Sequence, residues 1–248
     1  MEEDVKPTAT LETAEGRTSR HPRRPDLSRS RILEAAVAEF STKGFAGARV
    51  DEIAAKAQIG KRMLYQYFGN KEQLFQAVFE KVYTDIWEAE ANLNLQNMPP
   101  RDALVALVTF VWRYYMAHPE FTKLLNEENM LGARHFRSSK VLREGSDKSQ
   151  FLTEDILARG VADGTFRPDI DPVQLCLTKN AICYYYLMNH ATSSHVYQRK
   201  LMTREALDAR LAFNIETILA MVLARPVDDA ASPTALPSHK DRSQELPD

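Results

Sequence analysis

Apolar side chains recur at helical spacing along almost the whole chain. Ile32, Leu33, Ala36, Val37 and Phe40 follow the i, i+1, i+4, i+5, i+8 rhythm of one buried helix stripe. The rhythm resumes at Val50, Ile53, Ala54 and Ala57, and again at Leu74, Phe75, Val78, Val82, Ile86 and Trp87. A strand alternates its faces every second residue and cannot segregate such a pattern. Glycine is also scarce, at 9 of 248 residues, which leaves little for the turns of a β-sandwich or the phosphate loop of a dinucleotide fold. The expectation is an all-α chain.

About nine helices are expected. Ser28 or Ser30 caps the first, and Gly44 ends it in a left-handed stop. Two short helices follow, one through Val50–Ala57 and one from Lys61 to Phe68, separated by Gln58-Ile59-Gly60. A long helix runs from Lys71 to about Asn92. The fifth spans about 101–117, and Pro119 opens the sixth, which ends near Leu131. The stretch 132–147 is unclear, with room for a short helix. The seventh spans about 148–162, the eighth runs from Pro172 behind Asp171 to about His190, and Thr203 caps the ninth, which reaches Val222.

Both ends lack this periodicity. The first 16 residues hold five acids and one Lys, and Arg17, Arg20, Arg23, Arg24 and Arg29 then form a basic arm around Pro22 and Pro25. Residues 1–27 read as a flexible tail, and residues 226–248, with four of the 12 prolines, as another. The net charge of -2 hides an asymmetry: residues 17–80 carry 12 Lys+Arg against 7 Asp+Glu, and the remainder 20 against 27. One basic segment on an acidic body is the footprint of a polyanion partner.

Several classes are set aside. No run approaches the roughly 18 apolar residues of a membrane helix, and the acidic N-terminus is not a secretory signal. Two cysteines, Cys176 and Cys183, exclude a disulfide-built fold and favour a reducing, cytoplasmic compartment. Seven residues apart on one helix, they stand about 10 Å apart along its axis, too far for a disulfide. There is no GxSxG, Walker loop, HExxH or GxGxxG, and His118, His135, His190 and His195 have no ligand spacing. No enzyme, metal or cofactor is expected.

Two short helices joined by a tight turn, behind a longer apolar one, describe a helix-turn-helix in a three-helix bundle. In the third helix, KRMLYQYF, Leu64 and Phe68 are four apart and face the core. Lys61, Arg62, Met63, Tyr65, Gln66 and Tyr67 fall on the other faces. Lys and Arg reach guanine O6/N7, Gln pairs with adenine, Met meets a thymine methyl, and tyrosine hydroxyls bond phosphate. An ordinary wet helix face has the same composition, so spacing alone leaves both readings open.

The stretch from Arg31 to Phe79 resembles the N-terminal domain of the tetracycline-repressor (TetR) family of bacterial regulators. The resemblance rests on Ile32-Leu33, Ala35-Ala36, Phe40, Gly44-Phe45, Val50, Ile53-Ala54, Ala57, Leu64-Tyr65, Phe68, Lys71 and Leu74. It implies that residues 28–70 form a DNA-binding domain, with Lys61–Tyr67 as recognition helix and Tyr65 and Lys71 on phosphates. Lys71 also opens a helix, whose dipole favours an anion there. Three departures stand out. Ala48-Arg49 replaces a Ser/Thr pair, with Arg49 as the charged substitute for a phosphate-binding hydroxyl. Gln58 stands where the family carries Gly, and Met63 replaces Thr or Ser. The basic arm either follows the DNA backbone or is a solvated tail.

The resemblance also implies that residues 71–225 form a larger helical domain for ligand binding and dimerisation. The eighth and ninth helices would pair with their copies as a four-helix bundle and present two recognition helices to a palindromic operator. Polar and aromatic groups between the helices nominate an effector site: Phe110, Arg113 and Tyr114, with Asn126, Asn129, Tyr185 and Asn189. Arg113 beside Trp112 and Tyr114 is placed to hold a carboxylate; a surface Arg beside core aromatics is the competing reading. The whole is read as a dimeric repressor released from double-stranded DNA by a small organic effector, aromatic in character. A ligand-independent regulator or activator is the alternative, and a helical protein-binding adaptor without DNA contact is a third.

Overall fold

The computed structural model describes residues 24–224. Among them are eleven α-helices, one 3-10 turn and no strand. The basic arm up to Arg23 and the tail from Arg225 lie outside the described residues. The chain divides into two compact units, the first ending at Phe75 and the second beginning at Gln76.

The first unit holds α1 (Arg24–Gly47), α2 (Val50–Lys56), α3 (Lys61–Phe68) and the start of α4 (Lys71–Ala91). Helix α1 begins at Arg24, a turn earlier than the serine caps imply; Pro25 fits in that first turn, where an N–H has no helical partner anyway. Gly44 has a φ of 67° and kinks the helix, which continues to Gly47 where the sequence reading expects a left-handed stop. The kink turns Phe45 back: its ring meets Phe75 edge-on at 5.3 Å, and Phe75 meets Phe40 at 5.0 Å. Ile32, Ala36, Phe40, Ile53, Leu64, Leu74 and Phe75 are essentially sealed from solvent. That is the periodic stripe of the sequence, closed on itself.

Polar groups finish the packing. Glu39 is fully buried, and its carboxylate accepts from Lys43 at 2.7 Å, Lys56 at 2.8 Å and the Arg49 backbone N–H at 3.3 Å. These bonds hold its pKa down at about 2, against an ordinary 4.5, and the lysine hydrogen bonds are the main cause. One side chain thereby ties α1 to the start and the end of α2.

The second unit comprises the rest of α4, a 3-10 turn (Leu95–Asn97), α5 (Pro100–Ala117), α6 (Pro119–Met130), α7 (Arg134–Ser138), α8 (Lys140–Ala162), α9 (Pro172–Met188), α10 (His190–Val196) and α11 (Arg204–Val222). Its core gathers Leu104, Leu107 and Val108 of α5, Ile156 and Leu157 of α8, Leu175 of α9, and Ile218 and Val222 of α11 around Phe166. The end of α11 is closed by an isolated antiparallel bridge between Phe166 and Leu223. Trp112, a fully buried side chain, stacks edge-on against Tyr186 at 5.6 Å.

Further boundaries differ from the sequence reading. Helix α8 starts at Lys140, not near 148, because Ser139 caps it by accepting the Leu142 N–H at 3.2 Å. Glu128 explains α7: the buried carboxylate accepts from the N–H groups of His135 and Phe136, at 2.8 and 3.0 Å, and meets His135 Nδ1 at 2.6 Å. It satisfies the orphan donors of a five-residue helix that carries no apolar rhythm. Near the C-terminus, α9 ends at Met188 and α10 is a separate helix.

Candidate nucleic-acid interface and effector cavity

Hydrophobic burial orients α3. Leu64 is sealed and Phe68 nearly so, which leaves Lys61, Arg62, Met63, Tyr65 and Gln66 exposed and Tyr67 half-buried. Met63 is 44% and Tyr65 37% exposed, so two large side chains with apolar bodies face water. Neither α2 nor α3 has a side-chain cap: Arg49 and Gly60 occupy the cap positions without a side-chain hydrogen bond. The hydroxyl missing at residues 48–49 is thus not replaced as a cap, and the Arg49 guanidinium is exposed.

The turn contains one unfavourable backbone. Gln58 has a φ of 54°, in the left-handed region that glycine adopts without strain. Its side chain is nevertheless engaged, since Gln58 Oε1 accepts from Arg31 Nη2 at 3.0 Å. Lys61 Nζ lies 2.8 Å from Asp51 Oδ1 across the turn. This contact raises the lysine pKa and lowers that of the aspartate, through the hydrogen bond first and charge second.

Lys71 opens α4. Its Nζ donates to the Ala46 carbonyl at 3.3 Å and sits 5.1 Å over the Phe45 ring. Asn70 Oδ1 accepts the Gln73 N–H at 2.9 Å and caps the helix beside it.

Two concavities of the second unit bear on the nominated effector site. One is a groove of about 570 Å³ along α5, lined by Phe110, Arg113 and Tyr114 with Leu93 and His118. Arg113 is exposed there and Tyr114 stacks on His118 at 4.2 Å. The other nominated residues do not join this groove. Asn126 accepts from the Tyr184 hydroxyl at 3.4 Å, Asn129 and Tyr185 are exposed, and Asn189 ends α9 with its Nδ2 on the Tyr185 carbonyl. The seven nominated side chains therefore do not converge on one site.

The second concavity, of about 690 Å³, opens between α4 and α8, with the 3-10 turn at one end. Trp87, Glu90, Leu95, Ser149, Phe151 and Leu152 are among its lining. Sequence reasoning missed it for two reasons. Trp87 belongs to the apolar stripe of α4 and reads as core in the sequence. Val141 and Gly145, on the facing wall, lie in the stretch whose structure was unclear. Gly145 was the available signal: a Cβ there would fall 2.0 Å from the Trp87 ring. Among the described residues, no group of three or more His, Cys, Asp and Glu is placed to hold a metal, and no helix is long and apolar enough to cross a membrane.

Comparison with known proteins places these features in a family. Residues 32–78 match the family described as bacterial regulatory proteins, tetR family, and residues 100–218 match the tetracyclin repressor-like C-terminal domain. The chain is 40% identical over 181 residues to the HTH-type transcriptional repressor NicS of Pseudomonas putida, covering 73% of this chain and 85% of that protein. It is 41% identical over 108 residues to the HTH-type transcriptional repressor SCO4008 of Streptomyces coelicolor, covering 44% of this chain and 53% of that one. Among solved structures, a TetR family transcription regulator from Marinobacter aquaeolei superimposes with a TM-score of 0.64 at 19% identity, covering 82% of this chain and 98% of the other, a likeness of fold. Members of this class bind DNA and small molecules, act as dimers and are not enzymes. The chain belongs to the TetR family of bacterial transcriptional regulators.

Proposed function

We propose that the protein is a cytoplasmic dimeric repressor that occupies a palindromic operator and leaves it when a small organic effector enters the second domain. The observation that carries this reading is the exposed face of α3, where Lys61, Arg62, Met63, Tyr65 and Gln66 stand clear while Leu64 and Phe68 anchor the helix. Lys61, Arg62 and Gln66 read base edges, Met63 meets a thymine methyl, and Tyr65, Tyr67, Arg49 and Lys71 hold phosphates. The name of the Pseudomonas putida relative supports repression over activation. The dimer forms through α9 and α11, which leave Leu177, Tyr185 and Phe213 at 57–60% exposure.

Effector control acts through α4. This helix starts at Lys71, on the DNA-binding side, and its far end contributes Trp87, Glu90 and Ala91 to the cavity between α4 and α8. A ligand that prefers a displaced α4 draws the population away from the DNA-competent state; one without that preference changes nothing. The existence of a cavity of about 690 Å³, within the range of small-molecule sites, favours this over a ligand-independent regulator.

The test is a selection from random duplex DNA with the full chain, followed by titration of the selected site at several salt concentrations. A two-fold symmetric consensus with affinity that falls steeply with salt is expected. Absence of any specific binding at about 50 mM salt, where phosphate contacts are strong, would leave the adaptor reading in its place.

A further inference from the structure

The following rests on the reading of the protein as a ligand-responsive regulator, and concerns what the cavity between α4 and α8 selects. Glu90 on α4 is 7% exposed and lines that cavity. Among the described residues its carboxylate accepts one hydrogen bond, from Ser149 Oγ at 2.7 Å, and forms no ion pair. A carboxylate so enclosed has lost most of its hydration and is under-compensated by a single hydroxyl. The charges around it do not supply the balance. Asp155 is taken by Arg159 at 2.8 Å and Glu144 by Lys140 at 3.4 Å. Lys148, the cationic side chain of the lining, is exposed, and Glu88 adds a further acid.

The rest of the lining is apolar and partly open. Trp87 occupies the space that Gly145 leaves, and Phe151 and Val141 are 68% and 50% exposed at the wall. An under-neutralised buried carboxylate next to an indole is the chemistry that selects an ammonium group, through charge and the negative face of the ring. Uncovered aromatic surface beside it selects an apolar body.

We propose that this cavity binds an organic cation: an aryl- or alkyl-ammonium whose head sits at Glu90 and Trp87 and whose apolar body covers Leu95, Phe151 and Leu152. The charge of this cavity disfavours a carboxylate effector here; Arg113 lines the separate groove along α5.

The test uses the full chain and three phenylalkyl probes: 2-phenylethyltrimethylammonium, its uncharged isostere (3,3-dimethylbutyl)benzene, and the carboxylate 4-phenylbutyrate. Calorimetry is expected to show saturable binding of the cation, at least about tenfold tighter than either other probe. Glu90→Gln is expected to weaken the cation about tenfold or more and to leave the neutral probe unchanged. Val141→Trp, at an exposed lining position, is expected to block all binding, and it carries the test with the three wild-type titrations should Glu90→Gln fail to fold. Equal or tighter binding of the carboxylate, indifference of the cation to Glu90→Gln, or no cation binding at millimolar concentration overturns the proposal. DNA binding by the ligand-free protein is measured alongside: its loss refutes the regulator reading without touching cation selectivity, whereas intact DNA binding with no cation preference refutes only the cation.

Discussion

Lys61 of α3 and Asp51 of α2 form an ion pair across the turn, Nζ to Oδ1 2.8 Å, with side chains 51% and 55% exposed. Such a pair adds little to stability. Its interest is competition, because a phosphate approaching Lys61 must displace the carboxylate. Asp51→Asn should therefore tighten operator binding by about three- to tenfold at low salt, a gain that shrinks as screening rises. Fluorescence anisotropy at two salt concentrations checks this, and weaker binding by the variant would show that the pair instead positions Lys61 productively. The lysine pKa is raised and the aspartate pKa lowered, so both groups stay charged across pH 6–8 and this pair gives binding no pH dependence there.

Glu39 predicts an acid-sensitive first unit. Its folded pKa of about 2 lies below the ordinary 4.5. Stability from this group is complete above the unfolded value and is lost as pH falls from about 4.5 through 2. Glu39→Gln should destabilise the unit by about 1–2 kcal/mol at neutral pH, the range for a charge-assisted hydrogen bond lost. Urea unfolding at pH 7 and pH 3 should show the variant's deficit shrinking at the lower pH.

Gln66 and Lys71 separate specificity from affinity. Gln66→Ala should change which bases are preferred, with discrimination at the affected position falling by about 1–3 kcal/mol. Lys71→Ala should weaken binding to all sequences and reduce the salt slope by about 1. Its loss of the Phe45 contact should alter stability by about 1 kcal/mol at most. An unchanged salt slope in Lys71→Ala refutes the phosphate assignment.

Gln58 offers a stabilising change. At a φ of 54°, a side chain is strained by roughly 1–2 kcal/mol that glycine avoids. Gln58→Gly also loses the Arg31 hydrogen bond and gains unfolded-state freedom, so the expected net gain is about 0.5 kcal/mol. A thermal melt of the variant should move upward by a degree or more; a fall would mean that the Arg31 bond outweighs the backbone strain.

Local spacing alone determined that this chain is helical and which face of each N-terminal helix goes inward. Leu64 and Phe68, four residues apart, are buried together because a 3.6-residue period permits no other outcome for an amphipathic helix in water. Gly44 marked a local break, which the structure shows as a kink within α1 rather than its end. Tertiary structure decided the rest. The Ser139 cap and the Glu128 carboxylate set the boundaries of α7 and α8 through partners that no local pattern reveals. Ser139 Oγ itself donates to Glu80, 59 residues away. The cavity is of the same kind: Trp87 looks like any core aromatic until Gly145 and Ser149, far along the chain, come to face it and Glu90. A helix period says which side of a helix avoids water; only the meeting of distant helices determines where that side fails to close, and a binding site lies in that gap.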